Sequence, residues 1–166
     1  PYTTGSIHLG TAMNKTVKDF LIRYWRMNGY NVRDQPGFDM HGLPIEVKVE
    51  KDVLKVHSKK QIIEEIGIDK FVKTCQEFAL GLHKDMTEAF KQLGVWMDWD
   101  NPYQTLKLDY MESGWWTVQQ AEKKGLLKDS SRVVTWCPRC ETALAEAEIE
   151  YQDDPCTTVY VKFPMN

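Results

Sequence analysis

The sequence has 166 residues, of which 42% are hydrophobic and 27% are charged, and its formal net charge is −3. These values are typical of a globular protein with a core of its own, and they argue against a DNA-coating protein, which is usually strongly basic. No stretch approaches the roughly 20 apolar residues that a membrane-spanning helix needs, and no signal-peptide pattern is present. We therefore expect a cytoplasmic protein without a membrane partner.

The first 40 residues predict a loop, a helix, a strand and a second loop. Apolar residues recur at helical spacing from Leu9 to Met27. Residues 30–33 (YNVR) predict a short strand, and a Pro-Gly pair ends it. Residues 1–5 have the composition of a loop that follows a strand. This order is that of a βαβ unit, so we expect an α/β fold built on a parallel sheet.

Helices dominate the middle of the chain, and strands are expected near its end. Periodicity predicts helices over residues 43–52, 59–66, 69–94 and 108–124, with Ser58 as the cap of the second and Asp69 as the cap of the third. Strands are expected at residues 132–136 and 157–163. The last strand has no evident partner, and a lone strand is not stable in water. We therefore expect the chain to be a fragment of a larger protein.

The first helix opens with Gly5-Ser6-Ile7-His8-Leu9-Gly10-Thr11. A helix N-terminus offers unpaired N–H groups and the positive end of a dipole, so it attracts phosphate. His8 and Thr11 are three residues apart and can face one ligand, and Gly10 allows a close approach to the backbone. The alternative is that His8 is a capping or partly buried histidine, because a short glycine-containing helix start is a weak signal.

A second polar patch, residues 37–46 (GFDMHGLPIE), follows the predicted strand. Ligands of open α/β sheets bind beyond the carboxyl ends of the strands, where both patches are expected. Asp39 could pair with an ammonium group of a ligand. It could equally be a turn residue that makes a local hydrogen bond. Taken together, the two patches favour one binding site.

Cys137 and Cys140 have the C-x-x-C spacing of a zinc knuckle. Two thiolates supply half of a tetrahedral structural site, so a zinc site requires a second pair. A redox pair is the competing interpretation, but such pairs usually open a helix, whereas these cysteines follow a predicted strand. Cys75 lies in a helical pattern and is expected to be a buried small hydrophobe. Cys156 has no evident ligand set.

The other histidines and the tryptophans have simpler interpretations. His57 and His83 are expected to be structural or solvent-facing. Four tryptophans could stack on nucleic-acid bases, but without an interleaved basic stripe they are more often packing residues. These tryptophans are Trp96, Trp99, Trp115 and Trp116.

Four motifs, in this order, resemble class I aminoacyl-tRNA synthetases. Residues 1–11 (PYTTGSIHLGT) are similar to the first signature of that class, and residues 37–51 resemble its isoleucine-specific branch rather than the valine or leucine branches. Residues 94–99 (GVWMDW) and 136–144 (WCPRCETAL) resemble the archaeal and eukaryotic form of the same branch. The resemblance extends over essentially the whole chain.

The resemblance implies a fold and a division into domains. Residues 1–130 would be the first half of a Rossmann-type catalytic domain with helical insertions. Residues 131–156 would be a zinc-knuckle-like segment, in which Cys137 and Cys140 hold half of a structural Zn²⁺ site. Residues 157–166 would begin an editing domain. The full-length protein would be a monomer.

The resemblance also implies the site residues. Those that contact ATP, including its phosphates, would be His8, Gly10 and Thr11. Those around isoleucine would be Pro1, Tyr2, Thr3, Thr4, Gly5, Asp39, His41 and Gly42. Asp39 would hold the α-ammonium group of isoleucine. Thr11 occupies a position where many relatives have a second histidine, which separates this chain from the common pattern.

The implied reaction is the ATP-dependent activation of isoleucine, followed by its transfer to the isoleucine tRNA, with Mg²⁺ accompanying ATP. The second signature of the class, Lys-Met-Ser-Lys-Ser, is absent from these 166 residues. The chain alone is therefore expected to be almost inactive. A zinc-ribbon interaction module without catalysis and a synthetase for valine or leucine are the competing hypotheses. Stabilisation by ATP with isoleucine, with leucine or by zinc alone would distinguish the three.

Overall fold

The computed structural model describes residues 1–164, and the chain divides into two compact units. The first unit spans Pro1–Asp129 and the second begins at Ser130. None of the described helices is both long enough and apolar enough to cross a membrane. The α-helices are α1 (Leu9–Met27), α2 (Leu43–Lys48), α3 (Lys59–Gln61), α4 (Ile68–Gln92) and α5 (Leu108–Lys123). Two π-helical segments, Val49–Leu54 and Ile62–Ile66, continue α2 and α3.

A small parallel sheet organises the first unit. Its strands β1 (Gly37–Phe38) and β2 (Tyr103–Gln104) pair in parallel, with Gly37 opposite Tyr103. On the other edge of β1, Tyr2 forms a parallel bridge with Asp39. Asp39 N–H donates to the Pro1 carbonyl (2.9 Å), so the first residues of the chain add a third extended segment. α1 is the crossover between this segment and β1, as the βαβ prediction requires.

The strand predicted at residues 30–33 is wrong, because the sheet hydrogen bonds fall further along the chain. Residues 30–36 contain no strand and are tied instead to the end of α1. Arg26 donates to the Val32 carbonyl (3.3 Å) and pairs with Asp34 (2.9 Å). The ladder begins at Pro36, whose carbonyl accepts from Tyr103 N–H (2.7 Å).

The hydrophobic core of the first unit lies among β1, α2 and α4. Phe90 of α4 stacks on Trp99, with 5.7 Å between ring centroids, so Trp99 is a packing residue as expected. The predicted Ser58 cap is confirmed, since its hydroxyl accepts from Gln61 N–H (3.3 Å). Asp69 does not cap α4; the helix starts after Gly67, which has a φ of +88°. The buried core residues are Phe38, Met40, Ile45, Val49, Ala79, Met86, Phe90 and Val95.

The face that α1 buries is not its apolar stripe. Leu9 is 86% exposed and Phe20 is 67% exposed, whereas Lys15 and Asp19 are both 6% exposed. The Asp19 carboxylate accepts from Trp96 N–H (2.8 Å), and this bond attaches α1 to the segment that follows α4. The spacing that predicts the helix therefore does not predict which side packs against the rest of this unit.

The second unit contains an antiparallel hairpin of β3 (Trp136–Cys137) and β4 (Thr142–Ala143), followed by a 3₁₀ turn (Glu146–Glu148). Of the strand predicted at 132–136, only Trp136 lies in β3, which continues to Cys137. The strand predicted at 157–163 is wrong, since no ladder partner reaches these residues in the described chain. The last two residues of the predicted 157–166 segment lie outside the described residues.

Candidate functional site

His8 caps the start of α1. The Thr11 N–H donates to His8 Nδ1 (3.3 Å), and His8 Nε2 lies 2.9 Å from the Thr11 hydroxyl oxygen. An Nδ1 that accepts a hydrogen bond is the unprotonated nitrogen of a neutral imidazole, with the proton on Nε2. A Cβ atom on Gly10 would lie 3.2 Å from two ring atoms of His8. The glycine therefore makes room for the imidazole, and the capping role considered from the sequence is confirmed.

A cleft of about 520 Å³ lies beside this helix start. The loop before α1, the first two turns of α1 and one side chain of α4 form its walls. No acidic side chain is among its lining residues in the described part of the chain. The lining residues are Pro1, Tyr2, Thr4, Gly5, Ser6, His8, Gly10, Thr11, Asn14, Lys15 and Met86. The cleft is thus rich in hydroxyl and amide groups and carries positive charge.

The turn that contains Asp39 lies beside the first segment of the chain. Thr3 N–H donates to the Asp39 carbonyl (3.1 Å), and the Tyr2 hydroxyl donates to the His41 carbonyl. Gly42 has a φ of +105°, and a Cβ atom there would lie 3.0 Å from the Tyr2 hydroxyl. The two turns predicted to form one site therefore leave neighbouring parallel segments at the same edge of the sheet.

The predicted isoleucine-binding residues are not all in the wall of one cavity. Thr3 is fully buried beneath the turn, so only its backbone could face a ligand. Asp39 and His41 are exposed, and Asp39 is not part of the cleft wall beside His8. His41 and Gly42 instead line a smaller, mostly apolar cavity of about 230 Å³ between α2 and α4.

Thr105 is a residue of this region that the sequence did not reveal. It is 8% exposed, and its hydroxyl oxygen lies 2.9 Å from Met40 N and 2.9 Å from His41 Nδ1. It follows β2, so it lies at the same sheet edge as the Asp39 turn. Residues 95–107 have the composition of a loop, so the sequence does not predict the short strand β2 that precedes Thr105.

Lys15 is the second such residue. It is 6% exposed, and its ammonium lies 5.8 and 5.7 Å from the ring centroids of Phe38 and Phe90. Burial, and then the charge of Lys18, lowers its pKa from the ordinary 10.5 to about 8. The spacing of residues 8, 11 and 15 along one helix face could have indicated that Lys15 points toward the cleft.

The second unit brings the two cysteines of the C-x-x-C motif together. Cys140 N–H donates to Cys137 Sγ (3.3 Å) at the end of the hairpin. Hydrogen bonds from Cys140 lower the pKa of Cys137, whereas burial raises the pKa of Cys140. Residues 1–164 contain no group of three or more His, Cys, Asp or Glu side chains that could hold a metal ion, so the exposed Cys156 does not complete a ligand set.

The remaining candidates have structural or surface positions. The His83 ring packs edge-on against Phe38, with 4.3 Å between centroids, and burial lowers its pKa. Cys75 is half-buried, and burial raises the pKa of its thiol to about 11, so it stays a thiol at neutral pH. His57 is exposed. These positions agree with the structural or solvent-facing roles expected for the two histidines.

Comparison with known proteins defines the class. Residues 1–160 match the family described as tRNA synthetases class I (I, L, M and V), and the chain therefore belongs to this family. Within it, the chain is 61% identical to isoleucine–tRNA ligase of Thermococcus kodakarensis, 59% identical to that of Pyrococcus abyssi and 56% identical to that of Methanothrix thermoacetophila. Each alignment covers 99% of this chain and 16% of the relative.

A solved structure agrees with this assignment at the level of the fold. The chain is similar to the LeuRS of Agrobacterium radiobacter K84 in a ternary LeuRS–tRNA–LeuAMS complex, with a TM-score of 0.68 and 26% sequence identity. That alignment covers 89% of this chain and 16% of the other. The parallel sheet of the first unit is thus part of a class I synthetase catalytic fold.

Proposed function

We propose that this chain is the part of an isoleucine–tRNA ligase that carries the first half of its ATP and isoleucine site. The observation that carries the proposal is the pairing of Tyr2 with Asp39, which sets the His8 turn and the Asp39 turn side by side. The names of relatives at 56–61% identity support isoleucine as the amino acid.

ATP would bind where α1 begins. His8 Nε2–H is the natural donor to a phosphate oxygen, and Gly10 leaves the space that the imidazole occupies. In the free chain Nε2 lies beside the Thr11 hydroxyl, so a phosphate would replace this contact. Thr11 thus acts by holding the imidazole ready, which gives this residue a role where relatives have a second histidine.

Isoleucine would bind at the neighbouring turn. The exposed carboxylate of Asp39 can pair with the α-ammonium group, and a charge-assisted hydrogen bond of this kind is about twice as strong as a neutral one. Tyr2 is fixed by its bond to the His41 carbonyl, so it forms a rigid wall beside the ligand. Gly42 leaves room for this wall, and the backbone of residues 3–5 borders the same space.

The reaction would begin when a carboxylate oxygen of isoleucine attacks the α-phosphorus of ATP and the bond to pyrophosphate breaks. The aminoacyl group then passes to a hydroxyl of the tRNA, and AMP leaves. Such chemistry depends on positioning and on stabilisation of the phosphate charge more than on a base. Mg²⁺ bound with ATP would neutralise part of that charge. This chain's contribution would be the His8 and Asp39 contacts.

The second unit would belong to the insertion that contains the editing domain. We propose that Cys137 and Cys140 supply half of a structural Zn²⁺ site, because the hairpin brings the two cysteines together and the Cys140 N–H donates to Cys137 Sγ. Residues 131–156 would form this knuckle and residues 157–166 would lead into the editing domain. A cytoplasmic location and a monomeric full-length enzyme remain predictions.

The proposal can be tested in a chimera in which this chain replaces the matching segment of the Thermococcus kodakarensis ligase. We expect ATP–pyrophosphate exchange that depends on isoleucine and not on leucine. Asp39→Asn should lower kcat/KM for isoleucine by roughly 10- to 150-fold, the loss of one hydrogen bond to a charged group, about 1.5–3 kcal/mol. Glu77→Gln, on the exposed side of α4, is the matched control.

Two outcomes would contradict the proposal. One is exchange driven better by leucine or valine than by isoleucine. The other is an Asp39→Asn chimera whose kcat/KM for isoleucine equals that of the Glu77→Gln control.

The zinc assignment has its own test, since zinc content measured on the purified chimera should fall when Cys140 is changed to Ala. Equal zinc content in both proteins would reject that assignment alone.

A further inference from the structure

Lys15 is a buried ammonium group without a counter-charge among residues 1–164. Its residue is 6% exposed, and in the described chain its Nζ makes no ion pair or hydrogen bond. Its neighbours are the faces of Phe38 and Phe90, and a cation over an aromatic ring gains only about 0.5–2 kcal/mol. Burying a charge is costly unless it is paired, so this position lacks an anion.

The cleft that Lys15 lines is suited to bind an anion beside the ammonium group. His8, Thr11 and Lys15 are spaced three and four residues apart, so they lie on one face of α1. The start of this 19-residue helix adds the positive end of its dipole to the same space. No carboxylate lines this cleft among the described residues, and Asp34, which lines a second cavity beside Lys15, is paired with Arg26.

We propose that Lys15 is the cation of a phosphate subsite in the cleft beneath the start of α1. Its ligand would be the polyphosphate of the nucleotide, because the cleft of about 520 Å³ has room for several phosphate groups and offers hydroxyl, amide and imidazole donors to their oxygens. This inference rests on the proposed function and adds a binding residue one helical turn beyond the signature that contains His8.

The charges around Lys15 define how binding should depend on pH. The titratable groups near it are Lys18 and His8 on its own helix and the Pro1 amino group and Tyr2 in the first segment, while the sheet contributes Phe38 and α4 contributes the uncharged Met86 and Phe90. A second cavity that Lys15 also lines contains the charged residues Lys18, Arg33 and Asp34. Asp34 is the acid in this set, and it pairs with Arg26 (2.9 Å) rather than with Lys15. The part of the phosphate affinity that Lys15 supplies, measured as the difference between the wild type and Lys15→Met, should therefore weaken as the pH rises through about 8.

The first test measures the binding of inorganic pyrophosphate to the full 166-residue chain by calorimetry. The second measures the KM for ATP in the chimera. Lys15→Met should weaken pyrophosphate binding about tenfold or more and raise the KM for ATP by a similar factor. The KM for isoleucine should stay within about twofold. Lys15→Arg, which keeps its charge at high pH, should abolish the weakening above pH 8. Lys18→Met, an exposed neighbour, is the control.

Equal pyrophosphate affinity in the wild type and Lys15→Met, or no pyrophosphate binding by the wild-type chain, would overturn the subsite. So would an equal loss of affinity in Lys18→Met, since the effect would then be general electrostatics. A wild-type chimera that fails to activate isoleucine while the chain binds pyrophosphate through Lys15 would reject the proposed function alone. An active chimera with an unchanged KM for ATP in Lys15→Met would reject only the subsite.

Discussion

Replacing Lys15 by methionine should stabilise the free chain. The pKa of Lys15 is about 8 in the folded chain and about 10.5 when unfolded. At about 1.4 kcal/mol per pKa unit, the charged form costs the folded state about 3.5 kcal/mol at neutral pH. Loss of the two aromatic contacts offsets part of this gain, and methionine fills the space flexibly. We expect Lys15→Met to raise the free energy of unfolding by about 1–2 kcal/mol at pH 7.

The sign of the pH dependence follows from the direction of the shift. Between about pH 8 and 10.5 the unfolded chain binds more protons at residue 15 than the folded chain does, so the stability of the wild type rises with pH. Below about pH 8 the whole penalty is present. The advantage of Lys15→Met should therefore be largest at pH 7 and shrink by pH 10.

Urea unfolding followed by tryptophan fluorescence at pH 7 and at pH 10 measures this difference. Lys18→Met is the control, because Lys18 is exposed and its removal should change stability by less than about 0.5 kcal/mol. A Lys15→Met chain that is less stable than the wild type at pH 7 would refute the reasoning. An advantage that stays constant from pH 7 to pH 10 would do so as well.

Two further substitutions test the contacts that hold the site together. Asp19→Ala should lower the free energy of unfolding by about 2–3 kcal/mol, because the Trp96 N–H and the Arg23 guanidinium both lose the same buried carboxylate, whereas Glu88→Gln on the surface should have little effect in the same urea titration. Thr105→Val should remove the bond to His41 Nδ1 and change the ¹⁵N chemical shifts of that imidazole, while Thr105→Ser should preserve them. Unchanged shifts in Thr105→Val would contradict the role given to this hydroxyl.

The sequence predicted the helices of the first unit well, because helix formation depends on residues close together in the chain. α1 was predicted from Leu9 to Met27 and is found there, and α5 ends one residue before its predicted limit. The glycine-containing turn at His8 and the turn at Asp39 were also identified correctly as neighbours, since a βαβ unit brings such turns to one edge of a sheet.

Strand positions and buried polar residues could not be obtained in the same way. A strand of two residues is defined by its partners, and those partners lie far away: β1 pairs with residues 66 positions further on and with the chain's first residues. The periodicity that predicts α1 is the same whichever side is packed. It therefore could not reveal that Lys15 and Asp19 face the interior while Leu9 and Phe20 face outward.

By itself, the sequence determined the class of the fold, the helices and the two turns of the candidate site, because each depends on local spacing and on short motifs. Only the tertiary structure decided that Thr105 contacts His41 and that Lys15 lies buried beside the cleft. The physical reason is that burial and hydrogen bonding are properties of a pair of surfaces, and the second surface comes from residues distant in the chain.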